Sequence, residues 1–336
     1  MKKLRIGIIG CGSISNVHGD SLKQLCGEFD AEVSAIADVL PDRLMNMAKR
    51  FPDAVQYDSG MKLIITEEKL DIVHICLPTY LHAEHAVIAM EHGMNVFMEK
   101  PVCLKRSEAK RLLEVQKKTG SKVMIGQVVR FFDEYIYLKE LCGTRQYGKL
   151  KYLVLERIMG GARGNENISW FREPDKSGTV ILDVHIHDVD FMRSLVGEPL
   201  DVNVVTDMDA ENQPLHIAAV YRYNDMFVLI EGGWGNAKSY GFHTCYRANF
   251  ENATVVYNNW ENPSITIYQD NGEITKHQTS GKGPYYEEIR YFMECIINGG
   301  SIKKASLEDA VKSFELTMSE LEMAYRQAGA AFPIID

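Results

Sequence analysis

Over its first 125 residues the chain alternates short apolar runs with amphipathic stretches. Leu4–Ile9, Val33–Ala37, Ile72–Leu77, Val96–Met98 and Val123–Ile125 are near-continuous apolar runs. Such runs suit strands covered on both faces, as in a parallel sheet. Pro41 opens a helical stretch over Asp42–Phe51, while Ala83–His92 stops at Gly93 and Ser107–Thr119 at Gly120. A proline in the first turn and a glycine after the last are ordinary helix boundaries. Strand and helix in alternation predict a doubly wound parallel sheet.

After Gly126 the pattern changes. Lys151–Ile158, Val202–Val205, His216–Tyr223, Met226–Trp234 and Thr254–Tyr257 read as longer strands, with hairpin dipeptides at Asn224-Asp225 and Asn271-Gly272. Helices over Tyr285–Ile297 and Leu307–Gln327 close the chain. The expected fold class is therefore α/β. Residues 1–125 form a nucleotide-binding doubly wound domain. Residues 126–336 form an α+β domain with a large, open, mostly antiparallel sheet, and the last helices are candidates to pack back on the first domain.

Composition narrows the partners. At 336 residues and 46% hydrophobic content, the chain can fill two ordinary cores. No apolar run approaches the roughly 18 residues that span a bilayer. The Lys2-Lys3 start followed by Ile6, Ile8 and Ile9 mimics a signal peptide, but the run is short and enters a glycine turn, so it reads as the first strand. A net charge of −9 argues against nucleic acid or an anionic membrane as partner. The seven cysteines are scattered, without a CxxC pair, which fits a reducing cytoplasm rather than a disulfide framework.

The strand Leu4–Ile9 runs into Gly10-Cys-Gly-Ser-Ile-Ser15. Gly10 and Gly12 supply a tight turn and close backbone approach to a pyrophosphate, and Ser15 stands where the third glycine of such turns is usual. Asp38, after the second strand, is the candidate for the adenosine ribose hydroxyls. It lies further on than the usual roughly 20 residues, and Cys26–Ala31 reads as a loop insertion that accounts for this. A carboxylate there repels a 2′-phosphate, so NAD is favoured and NADP stays possible through Arg43. The bland alternatives are that Asp38 caps a helix and Arg43 is solvated.

Met98-Glu-Lys-Pro-Val102 ends another strand with Lys100, its aim restrained by Pro101. In the helical stretch Thr179–Leu195, Asp183, His187 and Asp190 follow at helical spacing and share one face, while His185 points roughly 200° away. An imidazole beside a carboxylate is a candidate general base near neutral pH. A metal held by Asp183, His185, His187 and Asp190 is the rival, as is a solvated helix face. His82 either lines the nicotinamide side or caps a helix. Arg130 either touches substrate or only neutralises a domain-interface carboxylate. Trp170 and Arg172 lie in Gly160–Gly178, a stretch long enough to be an active-site lid.

Taken together, these segments resemble the glucose–fructose oxidoreductase / inositol dehydrogenase (Gfo/Idh/MocA) family. The resemblance rests on Gly7–Ser15 with His18, Asp38 through Arg43, Pro78 with His82, Glu99-Lys100-Pro101, Gly126 with Arg130-Phe131, and Asp183 with His187 and Asp190. It implies a Rossmann domain, then an α/β domain whose open sheet mediates homodimers or homotetramers. It also implies hydride transfer between NAD(P) and a secondary alcohol or ketone of a sugar, cyclitol or related polyol. Lys100 and His187 would handle the hydroxyl proton, and Asp183 would orient substrate or His187. The cofactor candidates are Gly10, Gly12, Ser13, Ile14, Asp38, Arg43, Leu77, Pro78, Thr79, His82, Glu99 and Lys100. The substrate candidates are Lys100, Arg130, Trp170, Arg172, Asp183, His185 and His187. His185 departs from the small residue usual in that family, so the polyol preference is less secure here. Rival functions are a redox-assisted glycosidase or lyase that recycles its NAD, a non-catalytic NAD-binding regulator, and a metal hydrolase built on His185 and His187.

Overall fold

The computed structural model describes residues 3–67, 69–161, 169–281 and 283–334. The described residues divide into two compact units, residues 3–128 with 283–311, and residues 129–281 with 312–334.

The first unit opens with β1 (Leu4–Ile9), α1 (Ser13–Glu28), β2 (Ala31–Ala37), α2 (Pro41–Arg50), β3 (Val55–Tyr57) and α3 (Gly60–Thr66). It continues with β4 (Ile72–Ile75), α4 (His82–Glu91), β5 (Asn95–Glu99), α5 (Arg106–Thr119) and β6 (Val123–Gly126). All six strands are parallel, in the order β3-β2-β1-β4-β5-β6. The order reverses between β1 and β4, which opens the crevice where such sheets bind ligands. Ile6, Ile8, Ile36, Ile72, Ile75, Val96 and Met98 are all fully buried, as two-sided cover requires.

One expectation is corrected here. Cys26–Ala31 is no loop insertion: α1 runs on to Glu28 and β2 starts at Ala31. A 16-residue helix accounts for the distance between the glycine turn and Asp38.

The second unit contains α6 (Asp133–Thr144), β7 (Leu150–Gly160), α7 (Pro174–Ser177) and, after a π-helical turn over Ile181–His185, α8 (Ile186–Val196). There follow β8 (Asp201–Met208), β9 (Pro214–Arg222), β10 (Phe227–Asn236), β11 (Phe242–Phe250), β12 (Ala253–Asn258), β13 (Ile265–Gln269) and β14 (Ile274–His277). They form one sheet, β14-β13-β12-β11-β7-β10-β9-β8, antiparallel except where β10 meets β7. Leu153, Leu155, Val228, Ile230, Tyr246 and Ala248 face inward and are buried. Both predicted hairpins exist, joining β9 to β10 and β13 to β14.

Two helices close the chain. α9 (Pro284–Ile297) packs on α1 in the first unit, and α10 (Leu307–Ala328) has its residues from Lys312 onward in the second.

Candidate active site

Gly10 leaves β1 with φ +86°, a region open to glycine and costly to other residues. A Cβ there would lie 2.4 Å from the Cys76 carbonyl oxygen, because the end of β4 presses against the turn. Gly12 is the N-cap of α1; no side chain caps it, and no acidic residue occupies the first turn. Its carbonyl instead accepts from the Ser15 hydroxyl at 2.8 Å, so a serine closes the turn where the third glycine was expected.

Asp38 is held over this turn. Its two carboxylate oxygens accept from the backbone N–H of Cys11 at 2.6 Å and of Leu40 at 2.7 Å. Each oxygen retains a lone pair for a hydroxyl donor. Burial and the Asp38 charge together push the neighbouring Cys11 thiol up to about 12. Arg43 reaches the same turn, with Nη1 3.6 Å from where a Gly12 Cβ would sit. A helix N-terminus left open, a cradle that a Cβ would fill and an anchored acid fit a dinucleotide.

Lys100 follows β5 directly, is half-buried, and its peptide to Pro101 is cis. Beneath it runs a buried chain. The Lys100 N–H donates to Glu99 Oε2 at 3.3 Å, and Glu99 Oε1 lies 2.8 Å from His18 Nε2. His18 Nδ1 lies 3.2 Å from His74 Nδ1. The Glu99 carboxylate accepts from His18 Nε2. Burial, with His18 as a second cause, holds the His74 pKa well below the usual histidine range. Gly126 faces this carboxylate, and a Cβ there would lie 3.1 Å from Glu99 Oε1.

Leu77, Pro78 and Thr79 leave the carboxyl end of β4, next to Gly10. His82 neither caps a helix with its side chain nor stands free. Its ring nitrogens lie 2.8 Å from the carbonyl oxygens of Leu77 and Pro101, joining the two turns that carry the cofactor candidates. Burial lowers its pKa despite those carbonyls.

In the second unit, the approach to α8 is strained. Gly178 and Thr179 both have positive φ, 74° and 65°. For a β-branched residue this is costly, and such strain gathers at functional sites. The π-helical turn follows at once. Asp183 and His187 are half-buried, whereas Asp190 is not on offer beside them. Asp190 is 1% exposed and accepts from Arg130 Nε at 2.6 Å, Arg130 Nη2 at 2.7 Å and the Ser313 hydroxyl at 2.7 Å. Of the two roles open to Arg130, this geometry supports neutralising a buried carboxylate. The π-helical turn separates Asp183 from His187, whereas His187 and Asp190 keep ordinary helical spacing within α8.

His185 is corrected as well. It is fully buried, with Nε2 3.0 Å from the Tyr221 hydroxyl and 3.1 Å from Glu320 Oε2. Its β-carbon packs where a side chain on Gly232 would stand, 3.0 Å away. This side chain belongs to the core behind the helix. Among the described residues, Asp183, His185, His187 and Asp190 do not gather donors into a metal-sized group. Trp170 is half-buried and stacks on Phe171 at 3.9 Å. The Arg172 side chain and residues 162–168 of the expected lid lie outside the described residues.

A second fork was missed from sequence. Arg157 donates through Nε and Nη2 to both oxygens of Asp188, at 2.9 Å each, so α8 is clamped to β7. An arginine at an inward position of a strand, in phase with Leu153 and Leu155, was the available signal.

Comparison with known proteins shows the family. The signature of the oxidoreductase family with an NAD-binding Rossmann fold (Gfo/Idh/MocA) matches residues 4–127, and the family's C-terminal domain matches residues 135–275. The chain belongs to the Gfo/Idh/MocA family. It is 31% identical to myo-inositol 2-dehydrogenase of Thermotoga maritima over 198 residues, which is 59% of this chain and 56% of that protein. It is 30% identical to 2,7-anhydro-N-acetylneuraminate hydratase of Mediterraneibacter gnavus over 197 residues, 59% of this chain and 50% of that one. The chain thus spans about half the length of these Gfo/Idh/MocA relatives. A levoglucosan dehydrogenase solved in complex with NADH shares the fold, with a TM-score of 0.85 at 19% identity over 99% of this chain and 100% of that one.

Proposed function

We propose that this chain transfers a hydride between NAD(H) and a secondary alcohol or ketone of a sugar, cyclitol or related polyol. One observation carries the reading. On a single sheet edge, the open glycine turn with its anchored Asp38 lies at the switch point, and Lys100 ends β5 on the same edge. Bound nicotinamide supplies the hydride acceptor or donor. Lys100, steadied through Glu99, hydrogen-bonds the substrate oxygen and stabilises its developing negative charge. His187 takes the hydroxyl proton, and Asp183, one wide turn before it, orients the substrate or the imidazole. Asp38 accepts the ribose hydroxyls, and its charge favours NAD over NADP.

The outward face of the second sheet supports self-association into a dimer or tetramer. Val205, Val220 and Phe227 are 72%, 42% and 44% exposed there, a row of apolar side chains awaiting cover. Among the described residues no helix is long and apolar enough to cross a membrane, and all seven cysteines are free thiols. We place the protein in the cytoplasm on that chemistry.

A second reading follows from the similarity to a hydratase. In that reading the residues proposed above oxidise and re-reduce a sugar in one cycle, and NAD is regenerated. A panel of inositols, aldoses, keto-sugars and anhydro-sugars, each incubated with NAD, separates the two. NADH accumulating in step with product supports dehydrogenation. Product forming on catalytic NAD without NADH supports the cyclic route. Tight NADH binding with no conversion anywhere on the panel would leave a regulator.

A further inference from the structure

We infer that Glu156, His243 and Cys245 form a site for one divalent cation of the zinc class on the outward face of the second unit's sheet. The three residues lie on adjacent strands. Glu156 of β7 stands directly opposite Cys245 of β11, and His243 is two residues from Cys245, hence on the same face. One carboxylate oxygen, one ring nitrogen and the thiol sulfur lie within 4.8 Å of one another. All three side chains are partly buried, so the site is neither a solvated charge cluster nor a closed core.

The histidine's hydrogen bonds make the argument specific. Asn258, opposite Cys245 on β12, accepts the Trp260 backbone N–H through Oδ1 at 3.0 Å, which identifies that atom as oxygen. His243 Nε2 lies 3.2 Å from the same oxygen and must therefore carry a hydrogen. The other ring nitrogen, Nδ1, lies 2.7 Å from Glu156 Oε1. Two lone pairs at that distance repel unless a proton or a cation lies between them. A metal-binding imidazole commonly donates its second N–H to an oxygen in this way. The Trp260 ring, 4.1 Å away, further fixes the imidazole plane.

The surrounding charge favours a cation. Glu231 lies beside Glu156 in register on β10, its carboxylate held by His216 at 2.8 Å. Cys245 carries a free thiol in the metal-free protein. A bound divalent ion favours the thiolate, and the thiol proton leaves to solvent as the sulfur coordinates. Mixed sulfur, nitrogen and oxygen donors select zinc or cobalt over magnesium and calcium, which take oxygen. Three protein donors leave a fourth tetrahedral position to water.

Cobalt titration of the chelator-stripped full-length protein tests this. The expected result is saturation at one equivalent with a thiolate-to-cobalt charge-transfer band, displaced by zinc. Cys245→Ser should abolish the band, and Asn258→Ala should weaken binding about 10–100-fold by freeing the imidazole. Circular dichroism and the melting temperature establish that each variant is folded, and His243→Gln gives an independent loss of affinity should Cys245→Ser misfold. No band in the wild-type protein, or an unchanged band in folded Cys245→Ser, overturns the site.

Discussion

Replacing Arg130 with methionine separates the two roles that its position suggested. The guanidinium side chain is 8% exposed, and Asp190, which it grips through two hydrogen bonds, is 1% exposed. Removing one partner of such a pair leaves a buried charge without compensation and costs about 3–5 kcal/mol. Here the Ser313 hydroxyl continues to donate to Asp190 at 2.7 Å, and itself accepts from Arg193 Nη1 at 2.7 Å, so the lower end applies. At roughly 2–4 °C per kcal/mol, about 3 kcal/mol lowers the melting temperature by about 6–12 °C. The double variant Arg130→Met/Asp190→Asn removes the stranded charge and should recover most of that loss. Calorimetry on the single and double variants measures the coupling, and steady-state kinetics on the best polyol reads KM. A melting temperature within about 1 °C of wild type, with a large rise in KM, would refute the reasoning and return Arg130 to the substrate.

Three further outcomes are expected. Gly10→Ala places a Cβ 2.4 Å from the Cys76 oxygen at φ +86°, so the turn must shift and NADH should bind at least about tenfold more weakly in a fluorescence titration, left-handed strain alone costing about 1–2 kcal/mol. His74 is neutral in the folded protein well below the ordinary histidine pKa, because of burial and then His18, whereas the unfolded chain takes up that proton near pH 6.5. Stability contributed by this group is therefore present above about pH 6.5 and lost toward lower pH, by about 1.4 kcal/mol per pH unit, and urea unfolding of His74→Asn should show a correspondingly shallower acid slope. Arg157→Met strands Asp188, which is fully buried, and should destabilise the second unit by about 3–5 kcal/mol in the same calorimetric assay.

Much of the first unit was legible because its strands are buried on both faces and so appear as unbroken apolar runs. The Asn95–Glu99 and Val123–Gly126 strands differ from their predicted bounds by single residues at the ends. Val55–Tyr57 is three residues long and half-exposed, too short to leave a periodic trace. In the second unit Phe242–Phe250 escaped because its outward positions carry His243, Cys245, Arg247 and Asn249, so no apolar run forms. The glycine turn, Asp38 and Lys100 were readable from local spacing. The roles of Arg130, His82, His185 and Asp190 were not, since each depends on a partner far along the chain or on a carbonyl in another turn.

The most direct measurement is the turnover of Lys100→Met on the best substrate of the panel, taken with its NADH affinity. NADH binding within about twofold of wild type, with turnover reduced by about 10²–10⁴-fold, is the expected result for a lysine that stabilises charge on the reacting oxygen. Turnover close to wild type in a folded, NADH-binding Lys100→Met protein would contradict it.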